Sequence, residues 1–126
     1  MRGHDKPVNQ DVYVSPFYLS KDIKVYLVDR KLVRKQYYKT FVEGGHDRIY
    51  AFIPKGEIWI DSKLSEREQF LVTLHEAHER VLMGKGEPYN KAHRMANGVE
   101  SHFRRNGSED AIIDRMLIAL EGEIDG

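Results

Sequence analysis

The hydrophobic pattern changes period once along the chain, near Ser65. Before that point the apolar residues come in short runs rich in β-branched and aromatic side chains. Ile23-Lys24-Val25-Tyr26-Leu27-Val28 ends at Asp29 and reads as a strand. Ile49-Tyr50-Ala51-Phe52-Ile53 stops at Pro54, Lys55-Gly56 makes a turn, and Glu57-Ile58-Trp59-Ile60-Asp61 is a second short run. Residues 48–61 are therefore predicted to form a hairpin. Gly44-Gly45-His46-Asp47 reads as a turn or loop. The stretch from Leu32 to Val42 holds Tyr37, Tyr38, Phe41 and Val42, but its charges interrupt any period-2 alternation. Residues 1–10 are polar, contain Pro7 and show no period, which predicts a flexible N-terminal arm.

From Ser65 onward the spacing is helical. Ser65 and Glu68 form a capping box, and the helix they open is predicted to run to about Met83 before Gly84 and Gly86 end it. Pro88 suits the first turn of a second helix that stops at Asn106-Gly107. Ser108 caps a third, with Ile112, Ile113, Met116, Leu117 and Leu120 on one face. The expectation is a single α+β domain over residues 11–126, in which a small N-terminal antiparallel β-sheet is followed by three helices.

Composition narrows the chemistry. The chain has 126 residues, 40% of them hydrophobic, which is enough for one core. It has no cysteine, which excludes disulfides, a thiolate nucleophile and any zinc site built on sulfur. A metal would have to be held by imidazole and carboxylate. Lys+Arg and Asp+Glu both number 20, so the net charge is zero and nucleic acid is not an expected partner. The basic run Arg30, Lys31, Arg34, Lys35 and Lys39, interleaved with Tyr37 and Tyr38 and joined by Arg104 and Arg105, then reads as a solvated face. No apolar run approaches the roughly 18 residues of a membrane span, and the first residues lack a signal peptide's apolar stretch. A cytoplasmic protein without a membrane partner is expected.

The histidines supply the candidate site. On the first long helix Phe70, Leu71, Leu74, Ala77, Val81 and Leu82 form one apolar stripe, and His75 and Glu79 stack four residues apart at its margin. On the second, Ala92, Met95, Ala96, Val99 and Phe103 form the stripe, with His93 and Glu100 along one margin. If the stripes pack together, the two margins meet as a polar cluster beside an apolar core. Two neutral imidazoles and one carboxylate suit zinc, or another divalent ion, and leave it electrophilic. One His-Glu pair alone is an ordinary solvated helix pair; two successive helices with matching margins make a candidate site. His78 points toward the stripe, as a core histidine or as a ligand in place of Glu79. His46, after two glycines, is either a surface turn residue or a loop residue reaching into a cleft. His4 and His102 receive no role.

With His75-Glu76 on that helix and a short strand, 57–61, before it, the sequence resembles a zincin, the metallopeptidase class with H-E-x-x-H on its central helix. The stretch from Gly44 to Glu100 is also similar to small proteins encoded by phages and mobile elements. Here Glu79 stands where the class has its second histidine, giving H-E-x-x-E. The resemblance implies a zincin-like fold, a zinc ion and peptidase-type hydrolysis of a peptide or protein. Its ligands would be His75, Glu79 and His93, with Glu100 as a partner of a ligating imidazole or itself the third ligand. Glu76 would carry over as the general base, and the 57–61 strand would be an edge that pairs with extended substrate. A non-catalytic scaffold with a structural His/Glu cluster is the competing expectation.

Overall fold

The computed structural model describes residues 7–123; residues 1–6 of the expected arm, and with them His4, lie outside the described residues. The chain divides between Ser65 and Glu66 into two compact units, the first rich in strands and the second helical.

In the first unit, strands β1 (Tyr13–Leu19), β2 (Lys24–Val28), β3 (Gly44–His46) and β4 (Glu57–Asp61) form one sheet in the order β1-β2-β4-β3. β1 pairs antiparallel with β2 and β3 antiparallel with β4, but β2 and β4 run parallel, from Lys24 opposite Glu57 to Val28 opposite Asp61. The sheet is therefore mixed, not antiparallel as expected. Pro16 is tolerated because β1 is an edge strand with register shifts on either side of that residue.

Two expectations for this unit fail for identifiable reasons. The apolar run at 49–53 is not a strand. The Ile49 and Tyr50 amides both donate to the His46 carbonyl, and that of Ile53 donates to Tyr50, so the backbone folds into successive turns. Its aromatic and branched residues serve packing instead of pairing: Ile53 is fully buried, and Tyr50 and Phe52 pack around the same core. The partner of β4 is the Gly44–His46 segment, and β2 covers its other side. The 57–61 strand is thus interior and presents no free edge to an extended peptide.

Helix α1 (Arg30–Gln36) is the element that the broken alternation concealed. Asp29 ends β2 and also caps the helix, its carboxylate accepting from the Leu32 amide at 3.2 Å. Arg34 and Lys35 lie in the last turn, where cations complement the helix dipole. The core under α1 holds Val12, Val28, Val33, Phe41, Ile53 and Trp59. The Trp59 indole N–H donates to Glu57 Oε1 at 2.9 Å, and the Tyr13 hydroxyl donates to the same oxygen at 2.7 Å. Residues 7–9 are held to this unit: Val8 packs on the core, and the Asn9 amide donates to the Tyr37 hydroxyl at 3.0 Å.

The second unit contains α2 (Glu66–Gly84), α3 (Tyr89–Asn106) and α4 (Glu109–Leu120), close to the predicted bounds, which with α1 makes four helices instead of three. α3 and α4 both pack on α2. α2 is the central helix: Leu71, Val72, Thr73, Leu74 and His75 are consecutive and all buried, as in a helix surrounded on every side. α3 shows a narrower buried stripe than predicted, Ala92 and Ala96, and Met95 is exposed. Ser108 caps α4 by accepting from the Ala111 amide.

Gly45 shows how tightly the first unit is packed. A Cβ there would fall 2.5 Å from Tyr50 Cε2, and that ring is already held by Tyr38, Phe41 and Phe52. Gly45→Ala should lower stability by about 1–3 kcal/mol, the usual range for overpacking. An unchanged urea midpoint would contradict this packing.

Candidate metal centre

The site is built by a helical hairpin. α2 ends in a glycine-dependent turn: Gly86 has φ +103°, its amide donates to the Met83 carbonyl, and the Glu87 amide reaches back to Leu82. These two bonds form a Schellman motif, and the left-handed residue favours glycine. The turn reverses the chain so that α3 returns antiparallel along α2. Pro88 stands just before the first turn of α3, as its N-cap. At the far end Arg67 of α2 donates to the Arg104 and Gly107 carbonyls, satisfying orphan acceptors at the end of α3.

This register brings four predicted residues together. Glu79 Oε2 lies 3.2 Å from His75 Nε2 and 2.7 Å from His93 Nδ1, so one carboxylate oxygen sits between two imidazoles. The donor atoms of His75, Glu79 and His93 all fall within 4.8 Å of one another. Ligands arranged tetrahedrally about zinc at about 2.1 Å would stand about 3.4 Å apart, so the spacing accommodates an ion after small side-chain adjustments. Glu100 takes a different position. Its Oε1 stands 3.0 Å from His75 Nδ1, on the ring edge opposite Nε2, without hydrogen-bond geometry. A carboxylate behind a ligating imidazole orients the ring and raises its basicity.

Burial is graded across the cluster. His75 and Glu79 form a buried floor, whereas the His93 side chain is 40% exposed and forms an open lip. Tyr89 stacks on His93 with centroids 5.2 Å apart, and its hydroxyl is 3.5 Å from His93 Nδ1. Glu76 stands beside the three donors, with Oε2 4.0 Å from His75 Nε2. Buried His/Glu groups at these separations could hold a metal ion. The donor set, two imidazoles and a carboxylate, fits a borderline-soft divalent ion with a position left open.

The charges of the cluster offset one another. Burial alone would make His75 hard to protonate, but the Glu100 and Glu79 carboxylates outweigh it and raise its pKa to about 10. Burial would likewise raise Glu100, but His75 and Arg104 hold it below the ordinary carboxylate range. Arg104 donates to Glu100 Oε2 at 2.7 Å and also pairs with Glu68, so the hairpin carries a continuous chain of charge from Glu68 to Glu79. Tyr89 is raised by partial burial and by the charges of Glu79 and Glu76.

Three further histidines are described. His78 is buried, and burial followed by the charges of Arg115 and His75 holds its pKa down, so it is a neutral core histidine. His46 belongs to the first unit, where it is a fully buried residue of β3 instead of a surface turn residue; its Nδ1 accepts from the Arg48 amide at 3.2 Å. His102 is exposed at the end of α3. The sequence reading missed Tyr89, and it placed Arg104 only among the solvated basic residues. Both carry a signal, since Tyr89 lies four residues before His93 and Arg104 four after Glu100, on the same helix faces.

A group whose pKa is raised on folding stabilises fully below its unfolded value and ceases to do so as pH passes its folded value. For His75 that interval runs from about 6.5 to about 10. Chelator-treated protein should therefore lose a few kcal/mol of unfolding free energy between pH 7 and pH 10. His75→Gln should be less stable at pH 7 and flatter over the same range. Parallel pH profiles for the two proteins would contradict the assignment.

No protein-family model, curated protein sequence or solved structure matches the chain.

Proposed function

We propose that this protein is a zinc-dependent hydrolase of the peptidase type, in which His75, Glu79 and His93 hold the ion and Glu76 is the general base. The observation that carries the reading is the convergence of His75 Nε2, Glu79 Oε2 and His93 Nδ1 on one point, with a buried floor and an exposed lip. A structural zinc site is closed by four protein ligands, whereas three ligands with one open side describe a catalytic one. The resemblance to zincins through His75-Glu76 supports the reaction class.

When bound, the ion supplies Lewis acidity, polarising a carbonyl and bringing the pKa of a water in the site to near neutrality. The protein's own groups do the rest. To become ligands, His75 must release its Nε2 proton and His93 must carry its proton on Nε2, so that each presents a lone pair to the common point. Glu100 then accepts the remaining Nδ1 proton of His75 and fixes the ring. Arg104 keeps Glu100 ionised for that role. Glu76, next to the donors but outside their set, accepts a proton from water and passes it to the leaving amine. Tyr89 stacks on the exposed His93 ring and steadies it. Because β4 lies inside the sheet, the substrate is not held by strand addition to residues 57–61.

Purified protein should contain about one zinc per chain and bind it more tightly as pH rises, because binding displaces the proton of His75. His75→Ala, Glu79→Ala and His93→Ala should each weaken zinc binding by at least about tenfold, and Glu100→Gln by about 10- to 100-fold. Glu76→Gln should retain zinc and lower kcat on a fluorogenic peptide library by about 100-fold or more. Zinc binding with no turnover by the wild type would favour the scaffold reading. Failure to bind zinc or any other divalent ion would overturn the metal centre.

A further inference from the structure

The first unit contains a cavity of about 550 Å³ that the proposed hydrolase chemistry does not use. Pro7, Tyr37, Tyr38, Ile49, Tyr50 and Phe52 line it. Its wall is a continuous set of rings. Tyr37 and Phe52 are stacked at 5.3 Å with an interplanar angle of 8°, and Tyr38 lies at 23° to the same Phe52 ring. Tyr38 is also 5.2 Å from Tyr50 and is 45% exposed, so an aromatic face remains open to a ligand. The Asn9–Tyr37 hydrogen bond holds the segment that closes one side.

The lining residues carry no charge, but the stretch of chain that supplies most of them is basic. Between Arg30 and Lys55 the chain has seven Lys and Arg residues against two acidic ones, Glu43 and Asp47. Asp47 is buried and accepts from the Gly56 amide at 2.8 Å. Lys31, Arg34, Lys35 and Lys39 are exposed on α1 and the turn after it. Arg34 Nε donates to the Lys39 carbonyl at 2.8 Å, which keeps its guanidinium beside the turn that carries Tyr38. The zero net charge conceals this. Met1–Ser65 holds twelve Lys and Arg against eight Asp and Glu, and Glu66–Gly126 holds eight against twelve.

We propose that this cavity and the exposed cations of the adjoining helix and turn bind single-stranded nucleic acid, with an unpaired base on the Tyr38 face and the phosphates along Lys31, Arg34, Lys35 and Lys39. Stacking on aromatic rings beside flexible cations is how proteins hold single strands without reading sequence. Two features favour a strand over other occupants. The cations are spread along a helix and the turn after it, which suits successive phosphates better than the one phosphate group of a nucleotide. An apolar or proline-rich peptide would fill the rings but leave the exposed cations of α1 and the following turn without a counterpart. A base pair in duplex is stacked on its own neighbours and cannot offer its face.

The test uses full-length, chelator-treated protein and a fluorescein-labelled 15-mer of single-stranded DNA, read by fluorescence anisotropy. Binding should weaken with salt, losing about 0.7 in log K per log unit of salt for each phosphate contacted. Tyr38→Ala should weaken binding by about fivefold or more with the salt slope unchanged, and Tyr38→Phe should restore it. Lys35→Ala combined with Lys39→Ala should reduce the slope by about 1.4, at about 0.7 for each contact removed. The same sequence as duplex should bind more weakly. Equal binding of duplex, no effect of Tyr38→Ala, tighter binding of a mononucleotide or a proline-rich peptide, or no binding at low salt would each overturn the proposal. Tyr38→Ala should leave zinc binding unchanged, so this failure and that of the metal centre are separable.

Discussion

The helical unit depends on the burial of one carboxylate. Glu79 is 3% exposed, and an isolated carboxylate at that depth would carry a penalty of several kcal/mol. The fold answers it with His75 and His93 on either side, at 3.2 and 2.7 Å. Those contacts fix where α3 lies against α2, because only one antiparallel register lets residue 79 meet residue 93 while Arg104 meets Glu68. The Gly86 turn and the Arg67 bonds to the end of α3 support the same register from the two ends. A buried ion pair is weak evidence for stability in itself, since well-packed apolar residues often do as well. Its presence on the central helix is better explained by what the same atoms can bind.

The cluster has two ways to balance its charge, a proton on His75 or a divalent ion at the common point. They exclude each other, because both use the lone pair of His75 Nε2. Glu100 serves both: it stabilises the imidazolium in one case and orients the neutral ring in the other. Arg104 matters for the same reason, as the counter-charge that keeps Glu100 an acceptor at 2.7 Å. The exposed His93 side chain gives solvent and solutes access to a floor that is otherwise closed.

The helical half was largely legible in the sequence, and the strand half was not. His75 and Glu79 could be paired by their spacing of four, and the Gly86 stop made α3 an antiparallel neighbour, which is enough to bring His93 and Glu100 close. Spacing does not tell which of the two reaches the common point and which stands behind His75; the answer depends on side-chain geometry. In the first unit, local pattern misled at 49–53 because aromatic and branched residues serve a packed turn as readily as a strand. The parallel pairing of β2 with β4 joins residues 33 apart, and nothing in either segment specifies that partner. α1 was hidden because Asp29 does two jobs, ending a strand and capping a helix. Net charge was the other misleading quantity, since averaging over the chain erased the opposite excesses in its two units.

The central claim is that one ion is held by His75 Nε2, Glu79 and His93 Nδ1. A crystal structure of zinc-loaded protein, with anomalous data collected at the zinc edge, tests it most directly. The account predicts a single strong peak bonded to those three side chains at about 2.0–2.2 Å, with Glu100 against His75 Nδ1. A peak coordinated elsewhere, or His75 and His93 turned away from each other with no peak between them, would contradict it.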